Sequence, residues 1–214
     1  MSWPRVRRSL IAPLPESIRQ GLWDVKDVYL WLRRGKAPPL PPVLKQRVVK
    51  RYAARFGTRT LIETGTFQGR MVAASQDSFD SIYSIELDED LYQAACDRFK
   101  VQPHIHLIQG DSGLELARLL PDITEPSLFW LDAHYSGGIT ARGDQDSPVQ
   151  KEFQTILRHP ISDHVVLIDD AREFVGNGSY PSLDELRRMM ESHKPEWVLY
   201  DKDDVIRMHK GSRI

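Results

Sequence analysis

Three aspartates stand directly after apolar runs: Asp132 closes "SLFWLD", and Asp169 with Asp170 closes "HVVLIDD". Runs so short and apolar read as buried parallel strands, and neighbouring parallel strands deliver their terminal residues to one rim. Three carboxylates on one rim repel one another and raise a carboxyl pKa unless a positive group joins them. A hard divalent cation such as Mg²⁺ meets that need, because it takes oxygen ligands from a few carboxylates, keeps open positions and can hold a substrate hydroxyl. The plainer alternative makes Asp132 a polar strand end and Asp170 a turn or cap residue, since adjacent residues leaving a strand need not face the same way. His134, two residues past Asp132, has a reference pKa of about 6.5 that suits a general base at neutral pH. Asp132 is the rival base, and His134 can instead serve its own loop through a hydrogen bond.

A second constellation lies in "LIETGTFQGR", residues 61 to 70. Glu63 ends an apolar run, Gly65 and Gly69 flank a turn containing Thr66 and Phe67, and a helical pattern follows, so a ligand can meet bare backbone and helix-terminal amides there. The spacing is E-x-G-x-x-x-G; Phe67 takes the middle glycine position of the dinucleotide-binding G-x-G-x-x-G. Glu86, in "SIELDED", follows about twenty residues after the turn, where an acidic side chain accepts hydrogen bonds from both ribose hydroxyls of a nucleoside. In "QGDSGLEL", Asp111 and Ser112 are placed to meet an adenine edge, or Asp111 simply caps the next helix.

The elements that must position these residues alternate. "RTLIE", "SIYSIE", "IHLIQ", "SLFWLD" and "HVVLID" are strand-like, each followed by a turn and usually an amphipathic segment, while "WVLYD" and "DVIRMH" form an antiparallel pair at the end. The expected fold is α/β: a doubly wound, Rossmann-like sheet with a C-terminal antiparallel strand pair and an N-terminal helical extension. Residues 1–42 form that extension with a proline-rich linker, "APPLPP", and residues 43–214 form one domain. Within the extension, Ile18, Leu22, Val25, Tyr29 and Leu32 recur at helical spacing, with Trp23 and Trp31 near the seam. That helix is read as docked on the body or on a second subunit, making a homodimer; a basic surface for a membrane or anionic partner is the other reading.

Composition narrows the partners. The chain has 214 residues and a formal net charge of -1. Near-neutrality excludes a nucleic-acid binder driven by overall phosphate attraction. Residues 1–36 nevertheless carry +5, leaving about -6 for the remainder. The one cysteine, Cys96, excludes a disulfide framework, reads as a buried thiol and suits a cytoplasmic location. The apolar stretch near the start is too short, and too broken by prolines, for a stable membrane span.

"LIETGTFQG", "IYSIELD" and "LIQGDS" resemble, in order, the first three motifs of class I S-adenosylmethionine-dependent methyltransferases, over roughly residues 45 to 210. The closer resemblance is to the macrocin and novobiocin sugar O-methyltransferases, whose glycine turn also begins Glu-Thr-Gly and lacks the middle glycine. This resemblance implies S-adenosylmethionine as methyl donor, held by Glu63, Gly65, Thr66, Phe67, Gly69, Glu86, Asp111 and Ser112. It also implies Mg²⁺ on Asp132, Asp169 and Asp170, and as acceptor a hydroxyl of a carbohydrate, oligosaccharide or glycosylated small molecule. A catechol-type O-methyltransferase and a non-catalytic nucleotide-binding regulatory module are the alternatives. In the loop "SGGITARGDQDSPVQKE", Arg142, Asp144 and Asp146 are expected substrate contacts or else solvated surface, and Arg172, beyond the fifth strand, is the expected polar contact of the opposite wall.

Overall fold

The computed structural model describes residues 15–132, 148–177 and 180–211. His134, Tyr135, Arg142, Asp144 and Asp146 lie outside the described residues. After helices α1 (Glu16–Arg33) and α2 (Pro42–Phe56) come β1 (Thr60–Thr64), α3 (Arg70–Ser75), β2 (Ser81–Glu86), α4 (Glu89–Phe99), β3 (Ile105–Gln109) and α5 (Ser112–Leu119). The chain continues through β4 (Ser127–Leu131), α6 (Val149–Leu157), β5 (Val165–Ile168), α7 (Leu183–His193), β6 (Trp197–Lys202) and β7 (Val205–Lys210).

The strands make one seven-stranded sheet in the order β3-β2-β1-β4-β5-β7-β6. The first five are parallel, and β7 runs antiparallel to both β5 and β6. This is the expected Rossmann-like core with its C-terminal antiparallel pair. Apolar residues cover both faces, so successive side chains feed two cores. Ile62 and Phe129 join Leu116, Phe153 and Leu186 on one face, while Leu61, Leu128 and Trp130 join Val49, Val72 and Phe99 on the other. Each such side chain contributes about 1.5–3 kcal/mol by leaving water, which is why β1, β4 and β5 are buried throughout. Strand order reverses between β1 and β4, so their carboxyl ends open a crevice at the switch point.

At the amino ends of β4 and β5, a histidine pair is fixed by its partners. Ser127 N–H donates to His164 Nδ1 at 3.0 Å, so His164 Nε2 carries its proton toward His159 Nδ1 at 2.8 Å, and His159 Nε2 donates to the Leu120 carbonyl at 3.0 Å. Burial, reinforced by His159 and Lys194, pushes His164 down to about 4.

Of the two places expected for the seam of α1, the body is not the one it covers: Ile18, Leu22, Val25 and Leu32 are exposed in the single chain. The helix meets the body through Trp31, which packs on the core, and through Asp24, which pairs with Arg70 at 3.2 Å. Periodicity gave the stripe but not the direction it faces. Cys96 is half-buried rather than buried, on the flank of α4. Among the described residues no helix is long and apolar enough to cross a membrane.

Candidate active site

The glycine turn leaves β1 through Gly65 (φ 84°) and Phe67 (φ 48°) and enters α3 at Gly69 (φ 65°). Four of its amides are occupied within the protein. Gly65 N–H and Thr66 N–H donate to the Ile85 carbonyl, Gly69 N–H to the Thr66 carbonyl, and Phe67 N–H to Glu86 Oε2 at 2.7 Å. A ligand here therefore meets the flank of the turn, the exposed Phe67 ring and the first amides of α3, which receive no side-chain cap at Gly69. Gly69 has a second reason to be small: a Cβ on it would come within 2.7 Å of the Phe99 ring.

Glu86 is buried at the end of β2, and its other oxygen accepts Asp88 N–H at 2.9 Å. A carboxylate has about four lone-pair positions, so two remain for ligand hydroxyls. Glu63 points into the same end of the sheet, where Thr66 Oγ1, Ser84 Oγ and Glu63 Oε2 form a chain of 2.6 Å hydrogen bonds. Burial, with smaller contributions from Asp132 and Glu86, pushes the Glu63 carboxyl up to about 8.

Asp111 sits at the N-cap position of α5 but makes no side-chain cap bond, and its Oδ1 is buried without a partner among the described residues. Ser112 beside it is buried and hydrogen-bonds Glu152 of α6. Glu152 was not among the expected site residues. It is buried near Thr64, Asp111 and Asp132, and burial pushes it up to about 7.

The three aspartates converge as expected: one oxygen from each of Asp132, Asp169 and Asp170 lies within 4.8 Å of the others. Backbone pairing aims them, with Asp132 N–H on the Thr64 carbonyl and Asp169 N–H on the Leu131 carbonyl. Asp170 turns inward because its backbone is left-handed, at φ 55°, a conformation aspartate tolerates. Its own amide donates to Asp169 Oδ1 at 2.9 Å. Arg172, expected as a substrate contact, buttresses instead: it pairs with Asp170 at 2.7 Å, with Glu173 and with Asp204.

Lys45 of α2 also enters the cluster, forming an ion pair with Asp169 Oδ2 and lying 3.9 Å from Asp170 Oδ1. Burial alone would lower its pKa, but Asp169, Asp132 and Asp170 outweigh burial and hold it above the usual lysine value. Asp169 is pushed up by burial and by Asp132, against the pull of Lys45. The Lys45 ammonium and the Arg172 guanidinium, which Asp170 shares with Glu173 and Asp204, do not balance the carboxylates gathered here, and the rim stays negative. Hard oxygen donors, mutual proximity and surplus negative charge fit a divalent cation. Lys45 also lines a cavity of about 190 Å³ with Pro42, Gln46, Glu63, Gly65, Thr66, Phe67, Gln68, Arg70, Met71, Trp130 and Asp132. The glycine turn and the first aspartate thus share one space.

No family model matches the sequence, and no curated sequence matches it. Solved structures do match. An O-methyltransferase from Bacillus cereus in complex with SAH is 14% identical, with a TM-score of 0.57 over 94% of this chain and 96% of that one. SAH-bound methyltransferase PaMTH1 from Podospora anserina is 17% identical, with a TM-score of 0.55 over 94% and 98%. The O-methyltransferase TomG from Streptomyces achromogenes, involved in tomaymycin synthesis and solved with SAM, is 16% identical, with a TM-score of 0.54 over 90% and 99%. The chain therefore has the methyltransferase fold across nearly its whole length.

Proposed function

We propose that this protein is an S-adenosylmethionine-dependent O-methyltransferase acting on a hydroxyl of a carbohydrate or glycosylated small molecule, with Mg²⁺ on Asp132, Asp169 and Asp170. One observation carries the reading. The glycine turn, Glu86 and the aspartate trio meet at the carboxyl rim of the sheet, on a fold whose solved examples include O-methyltransferases bound to SAM or SAH. A binding-only module has no need for three convergent carboxylates beside its nucleoside site.

Glu86 offers its two remaining lone-pair positions to the donor's ribose hydroxyls, and the exposed Phe67 ring offers an apolar face beside them. Methyl transfer is an in-line displacement: the acceptor hydroxyl loses its proton, its oxygen bonds the methyl carbon, and the carbon–sulfur bond breaks to leave a neutral thioether. Mg²⁺ supplies a lowered hydroxyl pKa and a fixed oxygen when bound. His134 takes the proton, with Asp132 as the alternative base. Lys45, Gln46, Gln68 and Arg70 offer hydrogen-bonding groups to a polyhydroxylated acceptor, while Pro42, Phe67, Met71 and Trp130 supply an apolar wall that suits a sugar ring face or, in the catechol alternative, an aromatic ring. The exposed apolar row of α1 is assigned to a second copy of the chain, giving a homodimer.

The test is charge removal at constant shape. Asp132→Asn, Asp169→Asn and Asp170→Asn should each weaken Mg²⁺ binding and lower turnover, with partial recovery at high Mg²⁺. Folded variants that turn over at the wild-type rate would refute the metal assignment.

A further inference from the structure

We infer that Lys45 is a built-in counter-ion that competes with the divalent cation for Asp169, so that loading the site requires its ammonium to leave. The inference deepens the proposed function and rests on reading the aspartate trio as a metal site. Asp169 has both oxygens engaged: Oδ1 accepts Asp170 N–H at 2.9 Å, and Oδ2 carries the Lys45 ion pair. A metal bound at Oδ2 would sit against the ammonium, and two cations on one oxygen repel. The neighbouring cation, Arg172, plays a different part. It is pinned by Asp170, Asp204 and Glu173 at the edge of the trio and has no reason to move. Lys45 instead reaches the carboxylates on a flexible four-carbon stem from α2, an element outside the strand-end motifs, and its side chain is 17% exposed on the cavity wall. With the site empty of metal, Lys45 offsets the repulsion among the carboxylates and keeps them convergent. With metal bound, the ammonium is released into the cavity that must receive donor and acceptor.

The test uses the full-length protein and Mn²⁺ or Mg²⁺ alone, titrated by calorimetry. Lys45→Met should bind the metal roughly tenfold to a hundredfold tighter than wild type, because a competing charge a few ångströms away has gone. Lys45→Arg should stay near the wild-type affinity. Without metal the methionine variant should melt below wild type, and saturating metal should raise its Tm by more than it raises the wild type's. A purely structural lysine would lower Tm without tightening metal binding. In wild-type protein, Mn²⁺ should increase acylation of Lys45 by an amine-reactive ester severalfold, as read by mass spectrometry, and this needs no variant to fold. Wild type binding metal while Lys45→Met binds it no tighter, or Mn²⁺ leaving Lys45 acylation unchanged, would overturn the competition alone. If neither wild type nor the methionine variant binds metal, the metal site fails and the inference with it.

Discussion

Replacing Glu86 by glutamine should loosen S-adenosylmethionine by roughly ten- to a hundredfold. The carboxylate is buried and already accepts two amides, Phe67 N–H at 2.7 Å and Asp88 N–H at 2.9 Å, which leaves two lone-pair positions for ribose hydroxyls. Glutamine keeps the shape but turns one oxygen into a donor. That nitrogen must face one of the two backbone amides, so a buried donor goes unpaired and one turn loosens. A hydrogen bond to a charged group contributes about 1.5–3 kcal/mol, and every 1.4 kcal/mol or so is tenfold in affinity. Glu86→Ala removes both ribose contacts and should cost more. Calorimetric titration of each variant, beside thermal melts that establish folding, reads these values. S-adenosylhomocysteine has the same ribose, so the fold-loss should be equal for donor and product. A folded Glu86→Gln protein with wild-type affinity for both would refute the reasoning.

His134→Ala should lower kcat by about 10²–10⁴-fold with metal and donor affinity intact; near-normal turnover at saturating Mg²⁺ would transfer the base role to Asp132. Leu22→Lys and Val25→Lys, on the exposed row of α1, should convert a dimer to a monomer in light scattering, whereas an unchanged mass would assign the row to another partner. His164 is neutral when folded down to about pH 4, against an ordinary value of 6.5. Its stabilising contribution is therefore complete above pH 6.5. As pH falls toward 4 the unfolded chain takes up a proton that the folded chain refuses, so stability should drop by roughly 3 kcal/mol and then level off. His164→Asn should flatten that slope in denaturant titrations; an unchanged slope would assign the pH dependence to other groups.

Strand positions were legible because apolar β-branched runs bounded by turns have few alternatives: "SIYSIE" and "IHLIQ" coincide with β2 and β3. The aspartate trio was legible for the same reason, since parallel strands carry their terminal residues to one rim. Lys45 was not, because a lysine on an amphipathic helix looks solvated until the packing of α2 on the sheet carries it over the cavity. Glu152 was hidden for a related reason: α6 turns it inward beside Ser112 and Thr64, a tertiary contact with no local signature. Arg172 was misjudged because sequence placed it at the rim without showing that Asp204, 32 residues away, would hold it there. The direction of the α1 stripe depends on what it packs against, which helical spacing alone does not contain.

The most direct measurement follows labelled methyl groups from S-adenosylmethionine into a panel of free sugars, glycosylated small molecules and catechols, with Mg²⁺ or with a chelator. The account predicts a methyl ether on a carbohydrate hydroxyl, S-adenosylhomocysteine formed in equal amount, and loss of product with the chelator or with Asp132→Asn. Label arriving on nitrogen, or ether formation that the chelator leaves unchanged, would contradict it.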